Sequence, residues 1–341
     1  MYKVGIIGLG KIAAGYGSPQ DKAPYCHVGG IRFSKKVKLA AAADPSENAR
    51  KDFLSKWGPL FPDVSLYDSS EEMLKSEPLD IVAICVKGPL HHQVVMQVLQ
   101  AAPRAIFLEK PPTCSLWEMD TMLAAARLRN VSITVSYSRH WAPHVLRLEQ
   151  LVAEGLIGQV GTVVGFTGGS LLSYASHTTD LICQFANYHP IAVYARGTTH
   201  EQAVPEGYIP EPSVNAMVIE FANGITGVQV GADGPYGGFY CEVTGSEGRV
   251  RAGLYTPPFA CRKDGTEIDL CKLGMPEQAS VFTVAYDQIA NHLDGGPPPA
   301  CTNEHFVAVH EIGFGGIESV ITNRRVPVPN TNRTRRIFAN G

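Results

Sequence analysis

Residues 3–7 (KVGII) run without a break into Gly8-Leu9-Gly10-Lys11-Ile12-Ala13. An apolar strand that ends on glycines one residue apart leaves few ways to continue. Gly8 permits a tight turn, and Gly10 lets backbone approach a bulky group closely. Small Ala13 lets a following helix pack on the strand. The amide groups and positive dipole end of such a helix suit a pyrophosphate. The spacing therefore predicts a dinucleotide held at Gly8, Gly10, Lys11 and Ile12.

The residues beyond the loop support that context. Strand-like runs at 3–7, 37–43, 81–86, 105–108 and 132–136 alternate with helix-like stretches at 46–56, 70–75, 91–101 and 115–129. Alternation at this spacing predicts a doubly wound parallel sheet with right-handed crossovers. The runs VGIIG and IVAICV are almost wholly apolar, as strands covered on both faces are.

The pattern changes near residue 145. A helix at 144–154 precedes a β run at 160–167 and a helical run that opens near His177 and Asp180. Segments 215–220, 224–231, 240–244 and 249–252 alternate apolar with polar or small residues, which suits an antiparallel sheet packed on one face. ANG at 222–224 reads as a turn between two of these strands. Helices are expected at 280–294 and 303–323, with GGPPP between them. The expected domains are 1–140, which binds dinucleotide, and 141–326, which binds substrate and oligomerises. A tail at 327–341 comes last, its polar, basic stretch 330–336 mobile or peripheral.

The 341 residues suffice for two domains, and 29 basic against 32 acidic residues leave a net charge of −3. That balance argues against nucleic acid or an anionic membrane as the main partner. No apolar run approaches the ~20 residues of a membrane helix. The N-terminus reads as a strand, not a signal peptide. Eight cysteines lie far apart, without CxxC or zinc spacing. They are expected to be reduced thiols in a cytoplasmic protein with no metal.

Asp44 closes the second strand, LAAAAD. An acid there accepts from ribose hydroxyls and repels a 2′-phosphate, which favours NAD over NADP. It lies further from the glycines than the usual ~20 residues, and an insertion at 15–30 accounts for this. Lys35, Lys36 and Lys38 are the alternative, a phosphate-binding cluster. Glu109-Lys110-Pro111-Pro112 follows the strand AIFL, at the edge where doubly wound sheets place ligands. A lysine there, desolvated beside a nicotinamide cation, would have a lowered pKa and could carry a proton. The alternative is a surface lysine.

GLGKIA at 8–13, Asp44, His92, EKP at 109–111, His177-Thr178-Thr179-Asp180, FANG at 221–224 and GSEGRV at 245–250 occur in this order. With these landmarks the sequence resembles the Gfo/Idh/MocA family of oxidoreductases along almost its whole length. The resemblance implies an α/β Rossmann domain followed by an α+β domain with a large, open, mainly antiparallel sheet. It implies NAD at Gly8, Gly10, Lys11, Ile12, Asp44, Lys87, His92, Glu109 and Lys110, and a Lys110–Pro111 bond that is often cis. It places His177 as general acid/base, a role that suits imidazole because it titrates near neutrality. Hydride transfer between a secondary alcohol and a ketone on a sugar or polyol is the implied activity. A homodimer or homotetramer built through the open sheet is the implied assembly.

Several positions depart from the family pattern. Ser173 stands where many members have Asp, four residues before His177, and cannot carry the charge. Asp180, Tyr174 and Ser176 are the other polar candidates there. The stretch from Gly161 to His177 is short, which implies an open cleft. Lys87 replaces a Thr-Pro-Asn loop residue and is expected to contact cofactor or substrate. Arg139 is expected at the mouth of the site, and Trp141 either on a sugar face or in the core. Tyr188-His189-Pro190 has no clear place, and Tyr236 is a loop residue that can reach substrate. Two other functions stay open, the first because of the altered Ser173-Tyr174 pair and the open cleft. One is a glycosidase or lyase that oxidises its sugar transiently; the other is an NAD-binding regulator without turnover.

Overall fold

The computed structural model describes residues 1–231 and 238–340, in two compact units. The first comprises Met1–Thr113, Glu118–Trp141 and Gln278–Asn303; the second holds the rest. The return of Gln278–Asn303 departs from a single boundary near 140. Its cause is packing: the helix Val281–Leu293 buries Phe282, Ala285, Tyr286 and Ile289 and packs on the helix His27–Phe33 and the turn Ser138–Trp141.

The first unit is a six-stranded parallel sheet of β1 (Tyr2–Ile7), β2 (Val37–Ala43), β3 (Ser65–Tyr67), β4 (Ile81–Ile84), β5 (Ala105–Leu108) and β6 (Ser132–Val135). The order is β3-β2-β1-β4-β5-β6, the doubly wound arrangement. Helices α1 (His27–Phe33), α2 (Glu47–Trp57), α3 (Ser70–Ser76), α4 (His91–Gln100) and α5 (Leu116–Leu128) make the crossovers. β4 and β5 are buried at every residue, which explains their continuous apolar runs. β3 has only three half-buried residues and left no sequence signal.

The first crossover is not one long helix. After Gly10 the chain makes a single π-type turn, Lys11–Gly15, and α1 begins only at His27. Gly15, Gly17, Pro19 and Pro24 disfavour helix in between.

The second unit contains α6 (Pro143–Ala153), α7 (Ser176–Ala186) and strands β7 (Val160–Phe166), β8 (Gly169–Ser170), β9 (Pro190–Thr198), β10 (Ile209–Pro210) and β11 (Ser213–Phe221). Then come β12 (Thr226–Val230), β13 (Tyr240–Gly245), β14 (Gly248–Gly253) and β15 (Phe259–Arg262). Numbered on past Val281–Leu293 (α8), it ends with α9 (Glu304–Thr322), β16 (Val326–Pro327) and β17 (Ile337–Phe338). The main sheet runs β15-β14-β13-β7-β12-β11-β9-β16 and is antiparallel except where β7 meets β12. α7 and α9 cover one face. The other leaves Val218 exposed, and strand burial alternates accordingly.

α7 can approach the sheet because Gly165 has no side chain. A Cβ there would lie 2.5 Å from Thr178 Cγ2 and 2.7 Å from Ile182 Cδ1. The glycine thus fixes the seat of the helix that carries His177 and Asp180.

The tail departs from the expectation of a mobile or peripheral segment. β16 pairs with β9, and β17 pairs with β10. Arg333 binds buried Glu311, Arg335 binds Glu318, and the Asn330 N–H donates to Glu311 at 2.9 Å. Acids on α9 match the basic residues of the tail and hold it down. Among the described residues no helix is long and apolar enough to cross a membrane.

Candidate active site

In the first unit, the carboxyl ends of β1, β2, β4 and β5 lead into Gly8, Asp44, Cys85 and Glu109. Gly8 has φ +90°, and a Cβ on it would lie 2.8 Å from the Cys85 carbonyl oxygen. Only glycine suits that turn. Gly10 is exposed, and a Cβ there would meet nothing within 4 Å, so its backbone is open to a ligand. Asp44 braces the loop: Oδ2 accepts the Leu9 N–H at 2.7 Å and Oδ1 the Ser46 N–H at 2.8 Å. A carboxylate offers about four lone-pair sites, so capacity remains for ribose hydroxyls. An open Gly10 beside a braced acid fits a dinucleotide.

The Lys110–Pro111 bond is cis, as the family resemblance implied. Lys110 itself is half-buried. Glu109 is 6% exposed and turns to the His27 ring, with Oε1 at 3.0 Å from Nε2. Burial works to raise its pKa. The hydrogen bond and charge of His27, with Lys110, outweigh this and hold it below the ordinary carboxylate value. The His27 Nδ1 lies 2.8 Å from the Tyr286 hydroxyl. His91 bridges two loops, with Nδ1 at 2.6 Å from the Pro111 oxygen and Nε2 at 2.9 Å from that of Val86. Burial pulls its pKa down despite those bonds.

In the second unit, a π-type turn at Leu171–Ala175 leads into α7. His177 is buried, edge-on to Phe239 at 6.3 Å between ring centres. Asp180 is fully buried and accepts from the Tyr188 hydroxyl at 3.0 Å. Asn187 and Tyr188 have φ of 69° and 53°, a left-handed pair that turns the Tyr188 ring back toward α7 and onto His305. The Glu211 carboxylate accepts from the Ser173 hydroxyl and the Leu172 N–H, each at 2.5 Å. Thr179 donates to Gln229, whose amide donates to the Thr167 and Ala175 carbonyls and ties α7 to the sheet.

Residues 2–137 match the family model described as an oxidoreductase family with an NAD-binding Rossmann fold. The chain is 25% identical over 207 residues to the uncharacterized oxidoreductase YrbE of Bacillus subtilis, covering 57% of this chain and 56% of that one. It is 22% identical over 268 residues to myo-inositol 2-dehydrogenase of Thermotoga maritima, covering 73% of this chain and 75% of that enzyme. A solved oxidoreductase from Agrobacterium radiobacter, in complex with NAD+, L-tartaric acid and magnesium, superposes with TM-score 0.76 at 16% identity. That match covers 96% of this chain and 98% of the other. The chain is thus similar to Gfo/Idh/MocA-type oxidoreductases, and the family model matches its NAD-binding part.

Not every residue predicted for the site stands where the sequence put it. Trp141 is 1% exposed, edge-on to Phe107, with its N–H donated to Gln288 at 3.0 Å. It is a core residue and leaves no face for a sugar. Arg139 is buried in the same turn rather than at a mouth. Glu109 faces His27, not outward. His92 turns to Thr121 on α5 at 3.0 Å, and its neighbour His91 joins the two loops. Lys87 is exposed ahead of the turn Gly88–Leu90, and Lys11 is exposed beside half-buried Ile12. Tyr174 is 38% exposed, with its ring against Phe239. Tyr236 lies outside the described residues. Sequence reasoning missed His27, Tyr286, Glu211 and Gln229. Only Glu211 left a trace, as an acid fixed between Pro210 and Pro212.

Proposed function

We propose that this protein is an NAD-dependent dehydrogenase or reductase that interconverts a secondary alcohol and a ketone on a sugar or polyol. The observation that carries the reading is Lys110. It follows β5 at the same sheet edge as the open Gly10 loop and Asp44. Gly8, Gly10, Lys11 and Ile12 would hold the pyrophosphate and Asp44 the adenosine ribose, with Lys87 close by. Bound nicotinamide would supply the hydride acceptor or donor. Lys110 and His177 manage the hydroxyl proton, with Asp180, Tyr174 and Ser173 as polar contacts for substrate. The myo-inositol 2-dehydrogenase among the relatives supports a polyol. The exposed Val218 supports a homodimer or homotetramer built on the open sheet face. A cytoplasmic setting fits buried thiols such as Cys85 and Cys183, whose pKa burial pushes well above the ordinary value.

The test monitors reduced nicotinamide by absorbance, with NAD+ or NADP+ and a panel of free sugars, inositols and glycosides. Steady NADH growth with one substrate, reduced by about 10²–10⁴ in Lys110→Met, supports the proposal. Glycoside cleavage with no net NADH would replace it with transient oxidation. NADH binding without turnover in either direction would replace it with a regulatory protein.

A further inference from the structure

We propose that His27 and Tyr286 are positioning residues for Lys110, acting through the buried Glu109 carboxylate. The proposal rests on the reading of Lys110 as a proton carrier. The three groups come from separate segments: the first crossover, the end of β5 and the returning helix α8. All three are buried, at 0%, 6% and 0% exposure for His27, Glu109 and Tyr286.

Strand geometry persists through Glu109, whose N–H donates to the Ile84 oxygen at 3.0 Å. Phe107 and Glu109 therefore project to one side of the sheet. The His27 ring lies on that side, 4.8 Å from the Phe107 ring centre and 4.6 Å from that of Phe282. An ionised Glu109 only accepts, so His27 Nε2 carries the hydrogen between them, in either charge state of the ring. Tyr286 holds Nδ1 and so fixes the rotation of the ring. A locked Glu109 locks the backbone at the next residue and keeps a negative charge beside Lys110.

Without His27, Glu109 would be a carboxylate in an aromatic pocket with its main donor gone. Such a group takes up a proton. The other groups facing the chain are Lys110, His91 across Pro111, and the thiols of Cys26 and Cys85. Burial holds both thiols in the neutral form, so neither replaces the lost charge. Loss of the Glu109 charge removes a counter-charge from beside the Lys110 ammonium, and its titration midpoint falls.

The experiment is ¹³C reductive methylation of the full chain, with NMR titration of the Lys110 signal, assigned by its loss in Lys110→Arg. His27→Leu should lower the midpoint by about one pH unit. His27→Gln, whose amide N–H still reaches for Glu109, should hold it near the wild-type value. Tyr286→Phe should shift it the same way as His27→Leu, by less. An unchanged midpoint in folded His27→Leu overturns the proposal, and so does equal movement in His27→Leu and His27→Gln. Should His27→Leu fail to fold, Glu109→Gln removes the charge at constant shape. It must reproduce the fall, and no change there overturns the proposal. NADH titration by fluorescence on the same samples separates the two ideas. A wild type that does not bind NADH defeats the dehydrogenase reading, while the Lys110 midpoint still decides the positioning.

Discussion

The Ser173 hydroxyl donates to the Glu211 carboxylate at 2.5 Å, on the turn that enters α7 four residues before His177. The Ser173 N–H also reaches this carboxylate at 3.3 Å, and the Ser173 oxygen accepts the Asn340 N–H at 3.2 Å. The charge that residue 173 lacks is therefore delivered by a loop residue 38 positions later. A carboxylate at this end of a helical run suits its unpaired amides and positive dipole end.

Glu211→Ala should therefore cost about 1–2 kcal/mol of stability, as the loss of an N-terminal cap does. It should also lower turnover by about tenfold by loosening the first turn before His177, a free-energy change of about 1.4 kcal/mol. Glu211→Gln should fall between. Urea unfolding beside steady-state rates checks this. A Glu211→Ala protein with unchanged midpoint and rate would mean that the carboxylate is a bystander.

Asp44 predicts coenzyme choice. Its oxygens already brace Leu9 and Ser46 and still offer lone pairs to a ribose, whereas a 2′-phosphate would meet its charge. NADH should bind more tightly than NADPH. Asp44→Ala should weaken NADH by about tenfold, or about 1.4 kcal/mol, and narrow the gap between the two. Fluorescence titration of both coenzymes decides it. Equal affinities in the wild type would refute the assignment.

His310 on α9 is 1% exposed, and burial, helped by Arg333, pushes its pKa down to about 3. The unfolded chain takes up this proton below about 6.5, while the folded chain refuses it until about pH 3. Stability contributed by the neutral ring is complete above the unfolded value and drains away as pH falls toward 3. His310→Leu should remove up to about 1.4 kcal/mol per pH unit from the acid-side slope between pH 6 and 4. Urea midpoints across that range test it. Parallel slopes in the two proteins would show that another group sets the acid limit.

The legible part of this chain is the part written in neighbouring residues. Residues 3–13 carry strand, turn and glycine spacing together, and β4 and β5 read directly because both sheet faces demand apolar runs. His27, Glu109 and Tyr286 are 82 and 259 residues apart in their two contacts, and no local pattern links them. Trp141 stayed open between two places because an aromatic after a strand looks alike in a core and in a cleft. The tail misled because its basic composition says nothing of Glu311 and Glu318, which hold it.

The seat of α7 gives the last prediction. At Gly165 a new Cβ would lie 2.5 Å from Thr178 Cγ2, on a stiff β-branched side chain close to the helix backbone. Ile182 Cδ1, at 2.7 Å, could swing aside, but Thr178 cannot without moving α7. Gly165→Ala should therefore cost about 1–3 kcal/mol, as overpacking does. Because α7 carries His177 and Asp180, turnover should fall as well, in protein that is still folded. Gly161 lies on the same strand, and a Cβ there meets nothing within 4 Å. Gly161→Ala should thus stay within about 0.5 kcal/mol of wild type, at full turnover. Urea unfolding and rate measurements on the pair separate helix seating from strand propensity. If both variants lose stability equally, close approach of α7 is not what residue 165 provides.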